Sequence, residues 1–405
     1  MLKPLVLLCT LCVVVYVSAQ DNLILFIGDG MGYNHIEMSR LVEMGDTEGV
    51  LSFEDLEYST TIGTNALSLL FTDSAAAATC ISSGQKVARG RLNVSRLFHK
   101  HYETLLEYLT DTEEGRDYLT GVIAKTTLYH ATPAGFMAHS TSRGHSEEIA
   151  ACIIADQPDL LMGGGGTHLS SLLDSAAQYA TDRSHLRDLT SDLPVVGLFA
   201  EDDMKKVVHR DPDSDETEPT LTEMVVAAVG VLEAASAEQA RPYVLVVEAS
   251  FPDKGSHSND ADIAITEVIE LHEAVREVLS LIDLSETLLV VTADHECGAL
   301  EFDTDLARDT LADASLTSLE TLAGTDYDAV TLQRTERIAL LDDAYSWGST
   351  HHTYRPVMLA ASGPGADGIN DLDGRLLHHK GTSLLLHRVA DPGYQASKNF
   401  GYIGG

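Results

Sequence analysis

The chain has 405 residues, 44% of them hydrophobic and 22% charged, with a formal net charge of -36 and a mean hydropathy near zero. That length and apolar content allow a large buried core, in one domain with insertions or in two. So negative a surface argues against nucleic acid and anionic membranes as partners, and a site for an anion would need its own local positive charge, for which metal ions are the obvious source.

The chain opens on MLKPLVLLCTLCVVVYVSA. Lys3 is a short positive end, Leu5 to Val17 an apolar run, and Val17-Ser18-Ala19 a small-residue cleavage site, so residues 1–19 read as a signal peptide and the mature chain as exported from about Gln20. The apolar run is short for a membrane span, and no transmembrane anchor is expected. Beyond it lie Cys80, Cys152 and Cys297. Three cysteines make no disulfide framework, which leaves one pair or free buried thiols. Asn93-Val94-Ser95 would accept a glycan in a eukaryotic secretory route.

Along the rest of the chain, apolar runs alternate with helical patterns. NLILFIGDG predicts a strand ending in a glycine-rich turn, and YLTGVIAKTT, PDLLMGGGG, RPYVLVVEAS, ETLLVVTADH and YRPVMLAASGPG predict further strands. Helices are expected over 218–240 and 260–283. This is the pattern of a doubly wound α/β fold with a mostly parallel sheet buried on both faces. Residues 303–345, polar, acidic and rich in Thr and Leu, read as an insertion outside the core sheet. The glycines at 163–166 lack the Lys-Ser/Thr of a phosphate-cradling loop and read as a strand-end turn.

The polar residues of interest stand at the ends of these strands, where open α/β sheets place their ligands. Asp29 ends the first strand in GDGMG; Glu248, Asp253 and His257 lie in VVEASFPDKGSH; Asp294 and His295 end TADH; His351 and His352 precede the last strand. Carboxylates and imidazoles suit zinc, and glutamate suits a hard ion such as magnesium. Taken singly each is explicable as a polar turn, but together they predict a metal cluster formed in space. FTDSAAAATC adds a serine after an acid at a helix start, either a capped and closely packed helix or a nucleophile at the positive end of that helix.

The motifs GDGMG, TDSAAAAT, HATPAGFMAHSTSR, VVEASFPDKGSH, TADH and HHTYRPVMLAASGPG, in this order over residues 23–365, resemble the alkaline phosphatase family. GLFAEDDMKKVVHRDP resembles the linking segment of its animal-type members. The resemblance implies a three-layer fold with 20–405 as one catalytic domain, a homodimer, and hydrolysis of phosphate monoesters through a phosphoserine. It makes Ser74 the nucleophile. One zinc would be held by Asp29, Asp294, His295 and Ser74, a second by Asp253, His257 and His352, and a magnesium by Asp29, Thr132 and Glu248. His352 rather than His351 fits the family's distance to Gly363-Pro364. Arg143 would fork onto two phosphate oxygens, a match for its planar guanidinium. Asp73 would hold Arg143, and Lys254 would add positive charge.

The signature is mixed. His130, beside the third metal, and Lys254 stand where animal members carry histidine, while some bacterial members have an aspartate at the former position. Phe199 and Asp215 match the animal calcium segment, but Ala200 replaces a carboxylate there. The 303–345 insertion is shorter than the animal crown-like insert. A phosphodiesterase of the same superfamily is the alternative, and Arg143 with Glu248 favours a monoesterase over it. A metal-storage protein would need neither Ser74 nor Arg143.

Overall fold

The structure is a computed structural model that describes residues 21–45, 49–67, 71–97, 99–114, 116–210, 217–314, 327–373, 378–391 and 394. Residues 1–19, read from the sequence as a signal peptide, and Asp215 lie outside the described residues. The strands are β1 (Asn22–Gly28), β2 (Tyr58–Ile62), β3 (Leu119–Thr127), β4 (Leu160–Gly164), β5 (Gln178–Ala180), β6 (Val195–Ala200), β7 (Tyr243–Ala249), β8 (Thr287–Ala293), β9 (Leu300–Phe302), β10 (Tyr345–Trp347) and β11 (Val357–Ser362). Nine of them form one sheet in the order β2-β11-β8-β1-β7-β3-β4-β6-β5. Only β11 runs antiparallel to its neighbours, β8 and β2. The remaining pairs are parallel.

The central strands are buried along their length, as expected of continuous Val/Ile/Leu runs with helices packed over them. The predicted long helices form as Leu221–Gln239 and Ala261–Leu281. Residues 251–257, which the sequence reads as a loop, are helical instead. Pro252 sits in the first turn, where its missing N–H costs no helical hydrogen bond.

Within 303–345 the helices Thr304–Asp313 and Tyr327–Leu340 lie outside the sheet. Ala307, Leu311 and Ile338 pack with Met38, Leu41 and Ile265 in a second apolar cluster, beside the β9–β10 hairpin. Among the described residues, no helix is long and apolar enough to cross a membrane. Asn93 is buried, and its side-chain amide donates to the carbonyls of Gly135 and Ala138, so the sequon offers no accessible acceptor. Cys80, Cys152 and Cys297 are free thiols.

Candidate active site

Sheet register assembles the site. Gly28 at the end of β1 pairs with Ala249 on β7 and Ala293 on β8, so Asp29 and Asp294 leave adjacent strands at one level. The Gly30 amide then donates to Asp294 Oδ1 at 3.1 Å. Glu248 on β7 is paired with Ile27 of β1 and Ala124 of β3. Gly30, with φ near +77°, lies so close to the Asp253 backbone that a Cβ would come within 2.6 Å of its Cα. A side chain there would push the first strand end away from the helix Phe251–His257. That helix sets Asp253 and His257 one turn apart on one face, which accounts for their spacing of four.

Ser74 begins the helix Ser74–Ser83 and is 1% exposed. Asp73 is the N-cap: its Oδ1 accepts from Ala76 N at 3.1 Å, and its carboxylate also accepts from Gly90 N. The alanines answer a packing demand. A Cβ on Gly135 would meet the Cβ of Ala78 at 2.5 Å, so the serine helix and the helix Ala131–Met137, which carries Thr132, approach as closely as small residues permit. The capped, closely packed helix read from FTDSAAAATC is present, and its first serine lies beside His295.

The metal-type donors fall into three groups, each with donor atoms within 4.8 Å of one another: Asp29, Asp253 and His295; Asp29, His130 and Glu248; and Asp253, His257, His352 and Cys297. In the first, His295 Nε2 lies 3.2 Å from Asp294 Oδ2, 3.7 Å from Asp29 Oδ1 and 3.4 Å from Ser74 Oγ. In the second, Asp29 Oδ1, His130 Nδ1, Thr132 Oγ1 and Glu248 Oε1 are buried with no hydrogen-bond partner. The other Glu248 oxygen is held by the hydroxyls of Ser250 at 2.6 Å and Thr126 at 3.1 Å.

In the third group, His257 Nδ1 meets the Thr350 carbonyl at 2.6 Å and His352 Nδ1 the Thr72 carbonyl at 3.0 Å. Each Nδ1 must carry the proton, which leaves the Nε2 lone pairs facing each other at 3.0 Å with Asp253 oxygens 3.3 and 3.4 Å away. A convergence of acceptors without a donor is the arrangement a cation completes. The donor sets fit metal ions.

The electrostatics say the same. Burial, then repulsion from Asp294, Asp253 and Glu248, holds Asp29 well above the usual carboxylate range. Burial and the nearby Asp253 raise Asp294 to about 7. Burial also raises Glu248, although the hydroxyls beside it pull it back. Asp253 goes the other way: burial would raise it, but the imidazoles of His352, His295 and His257 around it outweigh that and hold it low. His295 is kept neutral, chiefly by burial.

Arg143 closes the site. Its Nη1 lies 3.3 Å from Asp73 Oδ2 and its Nη2 3.1 Å from His130 Nε2. The Lys254 ammonium is paired with Asp203 and lies 5.5 Å from the centre of the Phe251 ring. His351 stands outside the donor group; its amide donates to Ser349 Oγ and its side chain is exposed. Sequence reading missed two residues. Asp203, in the segment after β6, reaches Lys254 and also accepts from Thr127 N at 3.0 Å. Cys297 stands two residues beyond His295, a spacing that in hindsight places it in the same turn.

A buried serine at a helix start, an arginine and three donor groups that could hold metal ions stand together at the strand ends of an α/β protein. A model of the alkaline phosphatase family matches residues 20–372. The chain is 32% identical over 323 residues to the repressible alkaline phosphatase of Saccharomyces cerevisiae, covering 69% of this chain and 56% of the yeast protein. It is 29% identical over 297 residues to alkaline phosphatase 4 of Bacillus subtilis, covering 68% and 61% respectively. It thus spans less than two thirds of the length of either relative. The crystal structure of a cold-active alkaline phosphatase from a psychrophilic Shewanella superposes with a TM-score of 0.72 at 25% identity, covering 91% of this chain and 99% of that one. The chain belongs to the alkaline phosphatase family.

Proposed function

We propose that the protein hydrolyses phosphate monoesters to an alcohol and inorganic phosphate through a phosphoserine on Ser74. The observation that carries this is the placement of Ser74 Oγ, at a helix N-terminus and 3.4 Å from His295 Nε2, with Arg143 anchored to the same N-cap, Asp73. Asp29, Asp294, His295 and Ser74 would hold one zinc, Asp253, His257 and His352 a second, and Asp29, Thr132 and Glu248 a magnesium. Such ions would lower the pKa of the serine hydroxyl and neutralise charge developing on the attacking and leaving oxygens.

The chain's own residues do the rest. Asp73 fixes the helix start and orients Arg143, whose guanidinium binds two phosphoryl oxygens of a dianion. Ser74 Oγ bonds to phosphorus as the ester oxygen leaves. Water then attacks the same phosphorus, breaks the Ser74–phosphate bond and restores the hydroxyl. His130, kept neutral chiefly by burial and then by Arg143, can act toward Arg143 as a hydrogen-bond acceptor.

The test is to quench turnover of a labelled monoester in acid and map the label. Label on Ser74, absent from Ser74→Ala along with nearly all turnover, is expected; label on another residue refutes the assignment. Export and a homodimer complete the proposal. Secretion of the full chain with cleavage after Ala19 tests the first, and light scattering of the purified protein the second.

A further inference from the structure

One buried thiol is left over by this mechanism. Cys297 is fully buried, yet its Sγ lies within 4.8 Å of the donor atoms of Asp253, His257 and His352. Backbone contacts fix it there: Cys297 N donates to Gly30 O at 3.1 Å, and Cys297 stands opposite His352 in an antiparallel bridge. Asp253, 7% exposed, presents an Oδ1 with no hydrogen-bond partner to the same space. The two imidazole lone pairs already face inward, because the Thr350 and Thr72 carbonyls hold the opposite nitrogens.

We propose that Cys297 is a fourth ligand of the Asp253–His257–His352 zinc, which makes this the softer of the two zinc sites. The inference rests on the reading of those three residues as a zinc site. On binding, the Cys297 thiol loses its proton to solvent and an Sγ–zinc bond forms. Zinc takes a fifth donor when a reaction requires it, so four protein ligands do not close the site. A mixed N, O and S donor set selects zinc strongly over magnesium, whereas the Asp29–Thr132–Glu248 group offers only oxygen.

The test uses the full-length protein loaded with zinc, then with cobalt. Zinc X-ray absorption should show a sulfur scatterer at about 2.3 Å beside the nitrogen and oxygen shell at about 2.0–2.2 Å. The cobalt protein should show a near-ultraviolet sulfur-to-metal band. Cys297→Ala should lose both signals, weaken zinc binding at that site by at least about tenfold, and release one proton fewer on binding near neutral pH. Wild-type protein that holds its full zinc with no sulfur shell and no such band overturns the inference and leaves the zinc site standing. Wild-type protein whose zinc content His352→Ala does not reduce overturns the site itself, and the Cys297 assignment with it. The decisive measurement is on wild type, so it survives a variant that fails to fold.

Discussion

Replacing Arg143 by alanine should separate monoester from diester chemistry. The guanidinium is held by Asp73 at 3.3 Å, and Asp73 is itself fixed by the Ala76 and Gly90 amides, so the arginine is positioned before any ligand arrives. A charge-assisted hydrogen bond contributes about 1.5–3 kcal/mol. The Arg143 side chain is 29% exposed, and solvent screening places its contribution towards the lower end of that range. Loss of the fork should then reduce kcat/KM for a nitrophenyl phosphate by about one to two decades and raise the inhibition constant of inorganic phosphate by a similar factor. A bis-nitrophenyl phosphate has one anionic oxygen fewer to reward the second N–H, so its smaller rate should fall less. Arg143→Lys keeps the charge but not the planar fork, and should recover only part of the loss. Parallel steady-state kinetics on the two esters decide the matter. Equal losses on both would refute the claim that Arg143 reads the second phosphoryl oxygen.

The remaining expectations concern the metals. His352→Ala should lose one zinc per chain while His351→Ala keeps all its metal, because His352 and not His351 presents a nitrogen to Asp253; metal analysis of the two variants that gives the reverse order shifts the ligand by one residue. Chelated protein should lose stability as pH rises from about 4 through about 7. Asp294, raised to about 7, and Asp29 favour their protonated forms in the fold, so the stability they contribute is full below the usual carboxylate pKa and is lost as pH climbs through the folded value. Histidines lowered by burial, such as His295 and His379, oppose this trend below about 6.5, and His352, raised by Asp253 despite its burial, adds to it, so the comparison with Asp294→Asn is what isolates the carboxylate. Melting midpoints of chelated wild type and Asp294→Asn test the point: the variant should be flatter, and equal slopes would count against the assignment.

The sequence reading located the strands that lead to the ligands because each carries an apolar run: LILFI before Asp29, VLVV before Glu248 and LLVV before Asp294. What it could not supply was register. Asp29 and Asp294 are 265 residues apart and meet only because Gly28 and Ala293 are paired. The strand β2 was not legible: YSTTI alternates polar groups along a sheet edge and has no apolar run. The helix at Phe251–His257 was hidden by its length, its proline and its glycine, all of which read locally as a loop. Cys297 was legible as a cysteine but not as a donor, since thiol spacing carries no metal signal when the partners are Asp253, His257 and His352 from other segments. Asp203 was one of three consecutive acids after Ala200, and nothing in that run distinguishes the one that reaches Lys254.

That last pairing changes how a chain of net charge -36 can receive a dianion. Read from the motifs alone, Arg143 and Lys254 together offset the site's carboxylates. In the fold the Lys254 ammonium is engaged by Asp203, so its charge arrives already balanced. Lys125, the fully buried lysine on β3, is likewise taken up by Glu267 at 2.7 Å and Glu270 at 2.5 Å. Against Asp29, Glu248, Asp253 and Asp294 stand the Arg143 guanidinium, itself paired with Asp73, and the N-terminus of the serine helix. A helix end amounts to about half a charge. These cannot turn four buried carboxylates into an anion site, whereas the three divalent ions of the proposed function would reverse the sign outright. On that proposal the ions that would activate Ser74 would also create the affinity for phosphate, so that substrate binding and occupancy of the metal groups would be one electrostatic problem rather than two.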